Sequence, residues 1–225
     1  MGVKSFASLK EELVFELGNR PDVTTPTDYA GKWVNAAYMI LCTQNRMWGL
    51  RKNWYFPELE ASETKTTTDG VAYISVPTDC LIVRHIWDST NDVLLTNISW
   101  YNYLRSVGRA NTSSEGKPTQ WVRRGNYLYL YTTPDATYSE VVHYRKRPAL
   151  LTGVAVTVIG AEWDDIIIKL AKIRALMALG EYTKAEVEKK EFIEMVTNVI
   201  GIYDQEEKAR RDYMYVDPFY KKYEY

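Results

Sequence analysis

The chain is poor in the residues that usually carry reaction chemistry. Its 225 residues include two cysteines, Cys42 and Cys80, and two histidines, His85 and His143. Two distant cysteines make neither a C-x-x-C pair nor a disulfide framework, so they read as buried thiols of a protein made in a reducing cytoplasm. Each histidine falls in a segment of strand-like alternation, where a lone histidine is more often structural than catalytic. No serine sits in a G-x-S-x-G elbow, and both the Walker and the dinucleotide-binding glycine patterns are missing. No apolar run approaches the ~20 residues that span a bilayer. Charges interrupt the first twenty positions, where a secretion signal would need an apolar core. A surplus of one charge is missing too, since 28 Lys+Arg face 29 Asp+Glu. Near-neutrality argues against tight binding to DNA through phosphates, while leaving room for a channel through which DNA slides. Together these absences predict no catalytic residues, no metal ligands, no cofactor and no membrane contact.

What the chain does have is apolar and aromatic surface. It is 46% hydrophobic, with 18 tyrosines and 7 tryptophans, which fits an ordered globular protein. Tyr and Trp combine apolar area with a polar handle, so they suit both strands and interfaces.

Periodicity divides the chain into helical ends and a β-rich middle. Phe6, Leu9, Leu13 and Leu17 recur at helical spacing between Ser5 and the stop at Gly18. A second helix follows, capped by Thr25 or Thr27 with Asp28 in its first turn, and Tyr29, Trp33, Ala36, Ile40, Gln44 and Met47 mark one face of it. From Thr64 the pattern alternates. Strands are expected at Val71–Val76, Leu81–Trp87, Leu94–Leu95, Gln120–Arg123, Tyr127–Thr132 and Glu140–Lys146, with a short helix capped by Ser99. About six strands in an antiparallel meander result. A third long helix starts near Ala161 and ends at Gly180. A fourth has Thr183 and Glu186 as a capping box and joins the third by a short loop. The Glu162–Asp164–Asp165 cluster at the third helix start reads as acids favoured by the helix dipole rather than as metal ligands, since adjacent helical residues diverge.

The fold expected is α+β: a bundle of about four helices with an inserted antiparallel β domain and an extended C-terminal tail. The domains are 1–63, helical; 64–151, the β insert; 152–203, a helical hairpin completing the bundle; and 204–225, the tail. The tail is charged at Gln205–Arg211, then aromatic around Pro218, with no helical period after Asp212. Its aromatics are expected to dock elsewhere, on this chain or on a partner. Two small basic runs, Arg123-Arg124 and Arg145-Lys146-Arg147, read either as DNA-phosphate contacts or as a solvated strand edge.

Four stretches, in order, carry a family likeness. They are Trp33-Val34-Asn35-Ala36-Ala37-Tyr38; then Asp69-Gly70-Val71-Ala72-Tyr73 with Val76-Pro77-Thr78-Asp79-Cys80-Leu81; then Gly116-Lys117-Pro118-Thr119-Gln120-Trp121 with the run from Gly125 to Pro134; and finally Tyr144-Arg145-Lys146-Arg147-Pro148 leading to Glu162-Trp163-Asp164-Asp165 and the run Ala175–Glu181. From about Thr27 to Val199 the chain resembles the head-to-tail adaptor, or connector, proteins of tailed bacteriophages. The resemblance implies a virion protein made in the host cytoplasm and placed in the neck. It implies a ring of about twelve subunits beneath the portal that extends the DNA channel. Its partners would be the portal protein, a tail or nozzle protein, its own copies and, transiently, packaged DNA. The C-terminal segment would grip the portal, with Arg210, Arg211, Tyr213, Tyr215, Phe219, Tyr220, Tyr223 and Tyr225 as anchors. DNA-channel contacts would come from Arg123, Arg124, Arg145, Lys146 and Arg147. The alternative is a tail component whose aromatic-rich β domain binds carbohydrate or another tail protein.

Overall fold

The computed structural model describes residues 3–25, 27–44, 47–48, 50, 54–109 and 114–216; for 108–109 and 203–216 it describes the backbone alone. The chain divides into two compact units, one of residues 1–56 with 149–225, the other of 57–148.

The first unit is helical. Helix α1 spans Phe6–Glu16, α2 Tyr29–Thr43, α4 Asp164–Ala178 and α5 Tyr182–Val216. The Ser5 hydroxyl caps α1 by accepting from the Ser8 amide at 3.2 Å. Asp28, rather than a threonine, caps α2, accepting from the Gly31 amide at 2.8 Å. Its carboxylate also meets the Lys10 ammonium at 2.6 Å, which ties the cap to α1. Gly180 ends α4 at a positive φ of 80°, its amide bonding Met177 O at 3.2 Å while Glu181 bonds Leu176 O at 2.8 Å. The expected Thr183 capping box does not form: α5 already begins at Tyr182, and the Ala185 amide bonds the Glu181 carbonyl at 3.1 Å.

The core of this unit joins Leu9 and Leu13 of α1, Val34, Tyr38 and Leu41 of α2, Ile166, Leu170 and Ile173 of α4, and Phe192 and Val196 of α5, all buried. On α2 the buried stripe is Ala30, Val34, Ala37, Tyr38, Leu41 and Cys42, one residue and so about 100° around the helix from the expected face, and Tyr29 is exposed. Trp163, Trp54 and Phe56 form an aromatic box, with Phe56 edge-on to Trp163 at 4.8 Å and Trp54 tilted against it at 6.2 Å. Lys169 and Lys172 of α4 are mostly covered. They bridge Glu188 of α5 at 2.6 and 2.8 Å, and Lys172 also reaches Glu16 of α1 at 2.6 Å.

The second unit is a seven-stranded sheet with one helix. Its strands are β1 (Glu60–Thr66), β2 (Tyr73–Ser75), β3 (Cys80–Asp88), β4 (Val93–Asn97), β5 (Gln120–Arg124), β6 (Tyr127–Tyr131) and β7 (Ser139–Lys146), with α3 (Trp100–Arg109) between β4 and β5. The order is β1-β7-β3-β4-β5-β6-β2. The two end strands approach each other, so the sheet curls into a nearly closed barrel. Ile74, Ile86, Leu95, Trp121, Leu128, Leu130, Val142 and Tyr144 fill its interior, one from every second position as the pleat requires.

Two expectations about the architecture fail. A four-helix bundle with an inserted antiparallel domain does not describe the chain, whose described residues form five helices and a seven-stranded mixed sheet, a β-rich α+β fold. β4 and β5 pair in parallel, Thr96 with Gln120 and Asn97 with Trp121, because the intervening α3 returns the chain to run in the same direction. The tail is also not extended over its first part: α5 continues through 204–216. That stretch, Gln205-Glu206-Glu207-Lys208-Ala209-Arg210-Arg211, consists of good helix formers with Glu206/Arg210 and Glu207/Arg211 at i,i+4 spacing.

Candidate functional site

Helix α5 is the longest element of the described chain. Its 35 residues make a rod of about 52 Å, against about 22 Å for the 15 residues of α4. An antiparallel partner of that length covers the first half of α5 only. The last described buried side chain on it is Ile200, and Ile202 is exposed. Arg210, Arg211, Tyr213 and Tyr215 all fall on the remaining backbone helix. Phe219, Tyr220, Tyr223 and Tyr225 lie outside the described residues.

The five basic candidates are not brought together. β5 and β7 are separated in the sheet by β3 and β4. Arg123 closes one end of the barrel, donating to the Leu81 carbonyl at 2.9 Å and lying 3.7 Å from the Cys80 sulfur. Arg124 is exposed and lies over the Trp100 ring, 4.2 Å from its centroid. Arg145 is 4% exposed, so its guanidinium is not offered to a phosphate. Lys146 is half-buried, and Arg147 is exposed while its amide bonds the Asp79 carbonyl at 2.7 Å.

Outward-facing aromatics gather on β2, β6 and α3. Tyr73 and Tyr127, each 46% exposed, meet edge to face at 4.9 Å, and Tyr129 lies between them and Trp100. Trp100 stacks on Tyr103 at 5.2 Å. These rings pack on one another and under Arg124. They form a ridge on the barrel wall.

Clefts in the helical unit bring together no reaction set among the described residues. One of about 450 Å³ at the ends of α1, α4 and α5 is lined by compensating charges, among them Glu16, Arg20, Lys172, Glu181, Lys184 and Glu188. The acidic start of α4 is explained by Lys4. Asp164, 1% exposed, accepts from the Lys4 amide at 2.6 Å and from the Thr157 hydroxyl at 3.1 Å, and exposed Asp165 pairs with the Lys4 ammonium at 2.7 Å. Among the described residues no three His, Cys, Asp or Glu side chains group as metal ligands.

The histidines do meet. His85 of β3 and His143 of β7 are register partners with rings stacked at 4.4 Å, and partial burial, then the neighbouring His85, hold His143 below its ordinary range. A depressed histidine leaves the folded chain short of a proton that the unfolded chain binds, so this pair stabilises the barrel above the ordinary pKa and the contribution is lost as pH falls. His85→Ala is therefore expected to move the His143 titration upward, read from its imidazole proton shifts by NMR. An unmoved midpoint would show that burial alone sets it.

The comparisons fit this inventory. A family model described as SU10 adaptor protein matches residues 4–218, nearly the whole chain. The chain belongs to the SU10 adaptor protein family. It is thus a phage structural adaptor and a component of the virion, acting through contacts with other virion proteins. No curated protein matches the adaptor. No described helix of the adaptor is long and apolar enough to cross a membrane.

Proposed function

We propose that this adaptor assembles into a ring of about twelve copies that joins the capsid portal to the tail and extends the DNA channel through the neck. The observation that carries the reading is α5, whose 35 residues run about 30 Å beyond the length that the 15-residue α4 can accompany. A helix that continues past its antiparallel neighbour offers its end to a partner. Arg210, Arg211, Tyr213 and Tyr215 on that arm, with Phe219, Tyr220, Tyr223 and Tyr225 beyond it, are the anchors for the portal; Arg and Tyr are the residue types that dominate such contacts. A tail or nozzle protein binds the opposite end of the ring. Transient contacts to packaged DNA fall to Arg123, Arg124 and Arg147, the exposed basic candidates, with half-buried Lys146 beside Arg147. The role is structural rather than catalytic.

Stoichiometry tests this. Purified adaptor titrated onto the isolated portal ring of its phage, weighed by native mass spectrometry, is expected to saturate at about one copy per portal subunit. Absence of binding at any ratio would remove the portal from the reading and place the protein further down the tail.

A further inference from the structure

The barrel contains one acid that its surroundings leave without a counter-charge. Glu140 of β7 points inward with Val142 and Tyr144, is 0% exposed, and has no hydrogen-bond partner for either carboxylate oxygen. Directly across the β3 pairing stands Asp88, itself 1% exposed. The Asp88 oxygens are already engaged: one accepts from the Thr90 and Asn91 amides at 2.8 and 3.1 Å, the other from the Asn91 side chain. Across the β1 pairing stands Lys65, but its ammonium bonds Glu63 at 2.6 Å. The paired strand β4 brings no ionisable group to Asp88, its register partner there being Val93. Just before β7, Tyr138 turns its hydroxyl to Asp135. Three carboxyl groups, Glu63, Asp88 and Glu140, thus share one ammonium. Glu63 takes it, the turn amides serve Asp88, and Glu140 receives neither.

A bare carboxylate in such a place is far too costly to keep, and a group in that position neutralises instead. We propose that Glu140 takes up a proton when the barrel closes and that Asp88 and Glu140 act as a proton lock, holding β1, β7 and β3 together in the protonated state and loosening the β1 edge when the proton leaves. Burial first, and the neighbouring Asp88 charge second, push the Glu140 carboxyl up to about 7. The sign follows from proton counting. Between 4.5 and about 7 the folded chain keeps a proton the unfolded chain has released, so stability is full at low pH and drains away as pH rises. One proton of difference corresponds to about tenfold in the unfolding constant per pH unit. The β1 edge is where loosening shows first, since β1 hydrogen-bonds β7 alone.

The full chain and Glu140→Gln are compared by urea unfolding from pH 5 to 9, with amide exchange of β1 read in parallel. The lock predicts a glutamine variant that matches the parent at pH 5, exceeds it at pH 8 by about a hundredfold in the folding constant, and protects the β1 amides at high pH. Equal pH slopes in the two proteins would overturn it. Should the variant not fold, the side-chain carboxyl carbon of Glu140 in the parent, followed by NMR, decides. Titration near neutrality supports the lock, and titration in the ordinary carboxylate range overturns it. Repeating the parent series with calcium or magnesium chloride separates a metal from a proton. A slope that persists supports the lock, whereas one abolished by the cation shows that the pair binds metal instead.

Discussion

Deleting residues 204–225 is expected to abolish binding to the portal ring while leaving the fold as stable as before. Both halves of that expectation come from α5. The 15-residue α4 accompanies only the first half of the 35-residue α5, and the deletion lies in the second half, so the unfolding free energy should change by no more than about 0.5 kcal/mol. The same residues carry the proposed anchors. Changing Arg210, Arg211, Tyr213 and Tyr215 together to alanine should weaken binding more than about thirtyfold, because such anchors cost about 2 kcal/mol or more each when truncated. Changing Phe219, Tyr220, Tyr223 and Tyr225 instead asks whether the grip extends beyond the helix. Calorimetry against the purified portal ring measures all three proteins. Binding that survives the deletion would leave the adaptor reading in place and assign the arm to another partner.

The largest loss of stability is expected from Trp163→Ala. Trp163 is 1% exposed, and both Phe56 and Trp54 pack against its ring, so truncation opens a cavity that a rigid aromatic box is slow to fill. The cost should be about 3–5 kcal/mol, most of the stability a domain possesses. Trp163→Phe should be far milder, about 1 kcal/mol. The indole N–H is buried without an acceptor, so removing it relieves one penalty while the smaller ring creates another. Urea unfolding followed by circular dichroism distinguishes the two variants. Similar costs for both would mean that the box relaxes and that the packing, not the ring volume, was overestimated.

Much of the element order is legible in the sequence because period and punctuation agree. Gly18 and Gly180 end helices where their freedom at positive φ is needed, and Ser99 caps α3, accepting from the Asn102 amide at 3.2 Å. Strand β1 was illegible. Glu60-Ala61-Ser62-Glu63-Thr64-Lys65-Thr66 has only Thr64 and Thr66 as β-branched residues and no apolar alternation, and it becomes a strand because β7 offers a free edge. The α2 face was misread because Tyr29 and Trp33 weigh heavily in any hydrophobic count, yet rings with a polar handle can stay at the surface, and small Ala30 and Ala37 line the close contact instead. Among the candidate site residues, sequence could group Arg123 with Arg124 but could not show that alternation sends one to the Leu81 carbonyl and the other to Trp100. Glu140 did leave a signal. It falls in phase with Val142 and Tyr144, a lone charge on an apolar face, and a period-two reading of β7 marks it.

The helical unit is assembled from two stretches of chain, residues 1–56 and 149–225, with the whole barrel between them. On the ribosome the partners of α1 and α2 therefore do not yet exist when those helices emerge. At about 5–20 residues per second the intervening stretch delays α4 by on the order of ten seconds. Throughout that interval Leu9, Leu13, Val34 and Leu41 have no α4 to bury them. The newborn chain thus has a window of exposed apolar helix that closes only late in translation, and this, rather than the stability of the finished subunit, sets its demand for chaperones and its risk of premature association.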